Sequence, residues 1–475
     1  DGHIWAQSYT RTLTNIFGVE GEVAQKVAAA LDASLTAAEH AQLASVPSAN
    51  EAAMDLFLRA EYQLTQGEAN FDTASWKAAM LLYRQAVGKD PNFAPAWAHL
   101  SYTESSLAFF GGGGDDVTLL KRHARSDARE ALKLQSDLPA AQLAIGYADY
   151  WGDRNYKSAL KAFAAVLVRH PDNADALAGQ SYVQRRQGRL TDSIASMQKA
   201  FASDPRNDDL ATQEGYTWMM LRRYASAERW FGRALAINPH SVNAQAHRVS
   251  AIVYGTGDIP RALASIHGDA PRLKQQRVRL LTLQRNYRAA IALLESIPDT
   301  PNNFLPGSSR TLQLAILHGR AGDMMQAARL FAQARTQRHA KVDQTHGYIQ
   351  EVVLNAAAIA ELGIGHTAEG LATIAKSEAT VARTPDPVSG PGYRVADAKA
   401  YAMAGRGDLA ASLLGKVLSA SGSGQAYAPL MLWLDPAWDP IRHDPRFQAL
   451  QKKYAKDKPA LIPAIPASAP RGPAP

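Results

Sequence analysis

A proline returns on a fixed beat in this chain. His170-Pro171, Asp204-Pro205 and Asn238-Pro239 set breakers 34 residues apart, Asp90-Pro91 is an earlier one, and Ser136 takes the equivalent place 35 residues before Pro171. Proline ends a helix because it lacks an amide donor and its ring collides with the preceding turn. The interval leaves room for two helices and their turns. Internal periods of roughly 20–50 residues mark stacked arrays rather than single globules.

The residues between breakers keep the same phase. Ala86, Ala131, Ala200 and Ala234 lie five residues before their breaker, and Ala79, Ala159, Ser193 and Ala227 lie twelve before it. Tyr83, Phe163, Met197 and Phe231 lie eight before it. Small and large apolar side chains at helical spacing predict amphipathic helices packed in pairs. No pair can bury its apolar face alone, so neighbouring pairs must stack.

These marks resemble the tetratricopeptide repeat. Trp97-Ala-His-Leu100-Ser101 is similar to the opening of its first helix, and Gly215, Ala227, Phe231, Ala234 and Pro239 are similar to its remaining signature positions. The resemblance is strong over residues 51–239 and weakens afterwards. Residues 248–266, 274–297, 312–335 and 348–377 read as degenerate hairpins without the breaker, and 396–418 as a further pair. The resemblance implies an all-α tetratricopeptide-repeat solenoid, a right-handed superhelix of roughly nine or ten helical hairpins, with a short amino-terminal α/β remnant.

The two ends resemble something more specific. Asp1-Gly-His-Ile-Trp5-Ala-Gln-Ser-Tyr9-Thr-Arg11, then Ile16-Phe17 and a helix over 20–33, is similar to the end of a TolB amino-terminal-like domain, which in bacteria commonly precedes such repeats. Residues 434–450 resemble the closing segment of the same chains. In that family the effector at the far amino-terminal end is a winged-helix DNA-binding domain, a class III nucleotide cyclase or a serine/threonine kinase. None of these is in this sequence. The expected organisation is a remnant of that domain plus a linking helix at 1–46 and repeats at 47–300, clearest at 51–239. Degenerate hairpins and a carboxy-terminal cap follow at 301–457, and a Pro-rich disordered tail at 458–475. Gly111-Gly-Gly-Gly114-Asp-Asp lengthens one loop, and 298–307 and 384–392 are turn-rich breaks. A chain that begins at Asp1 without Met or an apolar leader is expected to be a processed or excised piece.

Composition narrows the function. With 46% apolar and 20% charged residues the chain has the make-up of a soluble globular protein. Its richest apolar stretch, 348–364, is broken by Glu351 and Glu361, so membrane contact is expected only through segments outside this sequence. The absence of cysteine excludes disulfides, thiolate nucleophiles and cysteine-based metal sites, and suits a periplasmic setting. His240 and His247 stand seven apart, as do His339 and His346, wider than zinc ligands usually stand. Ser158 to Lys161 and Ser196 to Lys199 match a Ser-x-x-Lys motif without its partner motifs. Gly255-Thr-Gly257 and the four-glycine run lack the rest of a phosphate-binding signature. No catalytic residue, metal or cofactor is expected. Basic residues at Lys121-Arg-His-Ala-Arg125, Arg185-Arg186, Arg222-Arg223 and 272–279 are interleaved with Asp127, Glu130 and Glu228. Nucleic-acid binding by this fragment is therefore not expected. Solvated helix faces, or a patch facing an acidic ligand or a phospholipid, remain.

One constellation stands out on the first helices. With each unit starting three residues after its breaker, the ninth position is Tyr102, Tyr147, Tyr182 and Tyr216 in four consecutive repeats. The resemblance implies that this position, with the second, fifth and twelfth, lines the concave surface. The twelfth position brings Tyr150, Arg185 and Met219 beside the ladder. Tyrosine offers apolar area and one hydroxyl at low entropic cost, which suits a peptide groove, and Arg185 could meet a carboxylate. The alternative is that the tyrosines wedge between neighbouring first helices and set the superhelix pitch. The expected function is a non-enzymatic protein- or peptide-binding scaffold, the extracytoplasmic, periplasmic sensory half of a bacterial membrane-bound regulator. Its rivals are a regulatory module of a cytoplasmic cyclase or kinase and a carrier using the groove for a ligand. Oligomers are left open.

Overall fold

Two residues after each strictly spaced proline stands a side chain that caps the next helix. Asn173 Oδ1 accepts from Ala176 N at 2.9 Å, Asn207 Oδ1 from Leu210 N at 3.3 Å, and Ser241 Oγ from Ala244 N at 3.4 Å. One element thus ends and the next begins within a few residues, which is how a 34-residue unit accommodates two helices. The computed structural model describes residues 48–70, 72–110, 117–300, 309–342, 348–383, 386–460 and 462. The features expected at 1–46, 111–116 and 301–307, His346 of the pair His339 and His346, and most of the 458–475 tail lie outside the described residues.

Every regular element among the described residues is helical. A first compact unit runs to Arg154 and a second from Asn155 onward, apart from short stretches at 68–73 and 110–115. The first unit holds α1 (Glu51–Asn70), α2 (Thr73–Lys89), α3 (Ala94–Phe110), α4 (Val117–Leu134) and α5 (Pro139–Tyr147), which runs on into a π-helical turn, Ala148–Gly152. The second unit begins with α6 (Tyr156–Arg169). Hairpins follow: α7 (Ala174–Arg186) with α8 (Leu190–Ser203), α9 (Asp208–Met220) with α10 (Tyr224–Ile237), and α11 (Val242–Thr256) with α12 (Ile259–Ala264). The less regular pairs are α13 (Pro271–Leu283) with α14 (Tyr287–Glu295), α15 (Arg310–Ala321) with α16 (Met324–Val342), α17 (Tyr348–Gly363) with α18 (Thr367–Arg383), and α19 (Gly390–Met403) with α20 (Gly407–Ser419). A short helix α21 (Met431–Leu434), a 3-10 turn (Pro436–Ile441) and α22 (Pro445–Lys453) close the unit.

The phase residues form the core. Ala79, Ala86, Ala131, Ala159, Ser193, Ala200, Ala227 and Ala234 are fully buried, as are Tyr83, Phe163, Met197 and Phe231. Phe231 lies so close to Gly215 that a Cβ there would stand 2.6 Å from its ring, and Phe163 approaches Gly179 in the same way at 2.7 Å. The turn joining the two helices of a pair also repeats. Arg154, Gly188 and Arg222 follow one another at 34 residues and share a left-handed backbone, with φ of 53°, 76° and 57°; Gly257, Arg285, Gly322, Gly365 and Gly405 continue the series.

Several carboxyl groups are buried at a cost. Burial first, and Asp127 next, push Glu104 up to about 8 although Arg84 donates to it at 2.7 Å. Burial pushes Glu214 up to about 7 despite donors on Trp218 and Gln198, and Asp397 up to about 7 despite donors on Asn355 and Ser377. The folded chain therefore keeps protons that the unfolded chain releases above the ordinary carboxylate range. The associated stability is fully present at low pH and is lost as pH rises through about 7–8. We expect a lower melting temperature at pH 9 than at pH 6.5, and a smaller difference in Glu104→Gln, measured by circular dichroism. A flat profile, or one rising with pH, would show these groups ionised in the fold.

Candidate functional site

The tyrosine ladder divides between the two units. In the first unit, Tyr102 on α3 meets Tyr147 on α5 edge-on, with ring centres 4.9 Å apart and planes at 86°. Tyr147 stacks on Trp151 at 4.6 Å, and Tyr102 lies 5.4 Å from the same indole. Tyr150 and Phe109 complete the cluster, 6.2 Å from each other. Tyr147 and Tyr150 are buried and Tyr102 is half-buried. Edge-on and stacked pairs of this kind contribute beyond their area. The structure thus brings three of the expected residues together and adds two aromatics that the register alone does not select. The π-helical turn carries Tyr150 and Trp151, and the extra residue of such a turn shifts the helical register.

In the second unit the rungs are Tyr182 and Arg185 on α7 and Tyr216 and Met219 on α9. The Arg185 guanidinium sits 5.3 Å from the Tyr182 ring centre and 5.0 Å from that of Tyr216. It donates to Gln213 Oε1 at 3.0 Å, and to Gln213 O and Thr217 Oγ1 at 3.4 Å each. A cation between two aromatic faces gains most when water is excluded, and Arg185 is buried. Tyr216 also meets His247 edge-on at 5.3 Å, and His247 stacks on Phe231 at 5.7 Å. Burial first, then Arg272 and Arg185, push His247 down to about 3, so it packs as a neutral ring. Burial raises the Tyr216 phenol above its ordinary range. Tyr182 and Tyr216 are half-buried and Met219 is buried.

The covering of Met219 and Tyr216 comes from the far end of the chain. Gly424 N donates to Met220 O at 3.0 Å, Tyr224 Oη to Gly424 O at 3.1 Å, and Tyr254 Oη to Ala426 O at 3.3 Å. Arg222 donates to Ser423 Oγ at 2.6 Å, Val417 O at 3.2 Å and Ala420 O at 3.4 Å. Arg186 forms a buried ion pair with Asp386 and donates to Ser389 Oγ at 3.2 Å. Gln425 Nε2 ties the two stretches together by donating to Val388 O at 2.7 Å. Arg285 reaches Asp439 Oδ1 at 3.0 Å, both side chains buried. A non-helical segment, residues 420–427, therefore lies across the ends of α9 and α11. Trp433, Leu434, Trp438 and Phe447 join the hydrophobic cluster of α9, α11 and α13 beside it. Sequence reading missed this cover. Its one local signal is arginine at 222 and 285, in left-handed turns where glycine stands at 188 and 257.

Among the described residues no three His, Asp or Glu side chains converge as metal ligands, and no helix is long and apolar enough to cross a membrane. The family model for the tetratricopeptide repeat matches residues 148–208. The fold is an all-α tetratricopeptide-repeat solenoid, read from this match and from the chain's own paired helices. A putative adenylate cyclase 3 of Rhizobium meliloti (strain 1021) is 31% identical over 153 residues, covering 32% of this chain and 25% of that protein. The chain thus spans about a quarter of the length of that curated relative. Similar solved structures include a thermophilic repeat protein of Thermus thermophilus, 15% identical, covering 42% of this chain and all of that one, with a TM-score of 0.37. The type IV pilus biogenesis factor PilW is 13% identical, covering 48% of this chain and 92% of its own, with a TM-score of 0.33. YrrB, described as having an unusual peptide-binding site, is 15% identical, covering 45% of this chain and 97% of its own, with a TM-score of 0.28.

The arginine turns give a direct test of the cover. A non-glycine residue in a left-handed turn costs about 1–2 kcal/mol. Arg222→Gly removes three hydrogen bonds but relieves the turn, whereas Arg222→Ala removes the bonds and keeps the strain. Both variants should unfold at lower urea than the parent, with alanine the worse by about 1 kcal/mol. Equal midpoints for the two variants would show that the turn stores no strain.

Proposed function

We propose that this chain is a protein- or peptide-binding tetratricopeptide scaffold whose first-helix face takes an extended segment of a partner. The observation that carries this reading is intramolecular. Residues 420–427, largely a run of turns, already lie across the ends of α9 and α11, held by main-chain and tyrosine hydroxyl hydrogen bonds. Helix ends that hold one non-helical segment through main-chain groups and tyrosine hydroxyls offer the same kind of groups to a segment of a partner. On this reading Tyr182 and Tyr216 supply contact area in the second unit, held by Arg185 and the buried Met219, and Tyr102 does so by itself in the first unit, held by the buried Tyr147 and Tyr150.

In its finer form the proposal makes the chain the extracytoplasmic, periplasmic half of a membrane-bound bacterial regulator. The resemblance of its two ends and the cysteine-free composition support that form. A second reading, a regulatory module joined to a nucleotide cyclase, is favoured by the partial match to the Rhizobium protein.

The test is selection of extended peptides from a displayed random library on the intact chain, followed by Tyr182→Ala. A groove role predicts at least a tenfold loss of peptide affinity, about 1.4 kcal/mol, with the melting temperature nearly kept. Unchanged affinity with a sharply lower melting temperature would make the ladder internal packing. Alkaline phosphatase fused to the carboxyl end of the full gene product separates the two readings, since it is active only after export.

A further inference from the structure

The second helix of the α3–α4 pair carries a row of cations that the proposed groove does not use. Leu120, Ala124, Ala128 and Ala131 turn one side of α4 into the core. On the other side Arg122, Arg125, Arg129 and Lys133 fall within an arc of about 80° and extend about 16 Å along the axis. They line a cleft with Lys121 from the same helix and Asp153 from just beyond the π-helical turn.

The charges in this cleft are unevenly matched. Arg125 is held by Asp149 at 3.4 Å and by Asp153, and Lys133 pairs with Glu130 at 3.1 Å. Arg122 and Arg129 are exposed, and neither has a carboxylate within ion-pair distance among the described residues. Burial first, and Arg154 next, push the Lys121 ammonium below its ordinary range, so like charges are crowded here. Arg154 itself sits in a left-handed turn at the cleft's edge. Cations held together without enough anions of their own form a surface complementary to an anionic partner.

The chemistry of the lining narrows the partner. The cleft presents no aromatic ring on which a base could stack, so it lacks what single-stranded nucleic-acid sites use. It presents no apolar side chain to enter a bilayer. Glu130 and Asp153 break the positive field at fixed points, which favours a partner whose negative charges come at matching intervals. The two unmatched cations, Arg122 and Arg129, stand seven residues or about 10.5 Å apart along α4, close to two turns of a partner helix (~10.8 Å) and off the ~6.6 and ~13.2 Å spacings of like-facing strand residues. We infer that the α4 cleft is a docking site for an acidic helical segment of a protein partner, with Arg122 and Arg129 meeting carboxylates two turns apart. This surface lies on a second helix, so it can be tested independently of the first-helix groove.

The probe is a synthetic helix-forming peptide with Glu at every third or fourth position. It is compared with a peptide of the same composition whose glutamates are scrambled, with vesicles containing phosphatidylserine, and with single-stranded oligothymidine. Fluorescence anisotropy on the full chain should show the striped peptide bound at least tenfold tighter than the scrambled one. Arg122→Glu with Arg129→Glu should abolish that preference and weaken binding at least tenfold. The neutral pair Arg122→Gln with Arg129→Gln should weaken it several-fold, which keeps the test valid if charge reversal perturbs folding. Reversing two exposed cations elsewhere, Arg169→Glu with Lys199→Glu, should change affinity less than twofold. Equal losses from the control pair would reduce the effect to net charge and overturn the inference. Vesicles or oligothymidine bound more tightly than the peptide, with the same dependence on Arg122 and Arg129, would overturn it in favour of a membrane or a nucleic acid.

Discussion

A large side chain seated on a residue that has none sets the spacing of this array. Phe231 on Gly215 and Phe163 on Gly179 leave no room for even a methyl group between ring and backbone. That contact fixes how closely neighbouring helices approach, and the alanines at five and twelve residues before each breaker keep the same closeness along the pair. Repeat folds have few long-range contacts with which to correct an error of spacing, so each unit must carry its own gauge. The strict period of the sequence follows from this requirement: a one-residue slip would turn a ring onto a bulky neighbour or into solvent.

The second unit departs from a simple array because it closes on itself. Pairs about 200 residues apart, Arg186 with Asp386 and Arg222 with Ser423, join its early hairpins to its last ones. Two of these anchors, Arg222 and Arg285, occupy left-handed turns that fall to glycine at 188, 257, 322, 365 and 405, and to Arg154 at the start of the series. Glycine would adopt the turn without strain but could not reach across. Strain of this size persists only where surrounding contacts over-determine the backbone, and the hydrogen bonds of Arg222 and the buried ion pair of Arg285 supply such contacts. The inter-helix turn therefore has two uses on one geometry, and the choice of residue selects between them.

Most of the local architecture was legible in the sequence, since the breaker and the in-phase core residues act within one unit, whereas the caps at Asn173, Asn207 and Ser241 came only with the structure. The degenerate hairpins from 248 onward were legible too, because paired amphipathic patterns survive the loss of the proline. The covering segment was not. Ser421, Gly422, Ser423 and Gly424 read as an ordinary turn, and nothing periodic links them to Met220 or Arg222. The π-helical turn was equally hidden, since one extra residue in a helix leaves composition unchanged while it moves Trp151 onto Tyr147. The buried carboxyl groups escaped for a related reason. Glu104, Glu214 and Asp397 look like solvated helix residues until tertiary packing removes the water around them.

One periodic position has thus met different environments. Tyr147 packs inside an aromatic cluster, Tyr216 lies beside the chain's own closing segment, and Tyr182 keeps one side toward solvent with Arg185 against its face. These environments set different conditions for an incoming partner. Where residues 420–427 already lie, a partner would compete with a tethered segment. Flexible tethers hold such a segment at an effective concentration of the order of millimolar, and a segment built into the fold competes more strongly still. Micromolar contacts would lose that contest on the α9–α11 stretch. At the end of α7 Arg186 is likewise held by Asp386 and Ser389. Repetition of a residue type along an array therefore does not make its copies equivalent as binding sites. On the proposed reading, the non-repeating closure decides which of them a partner can reach.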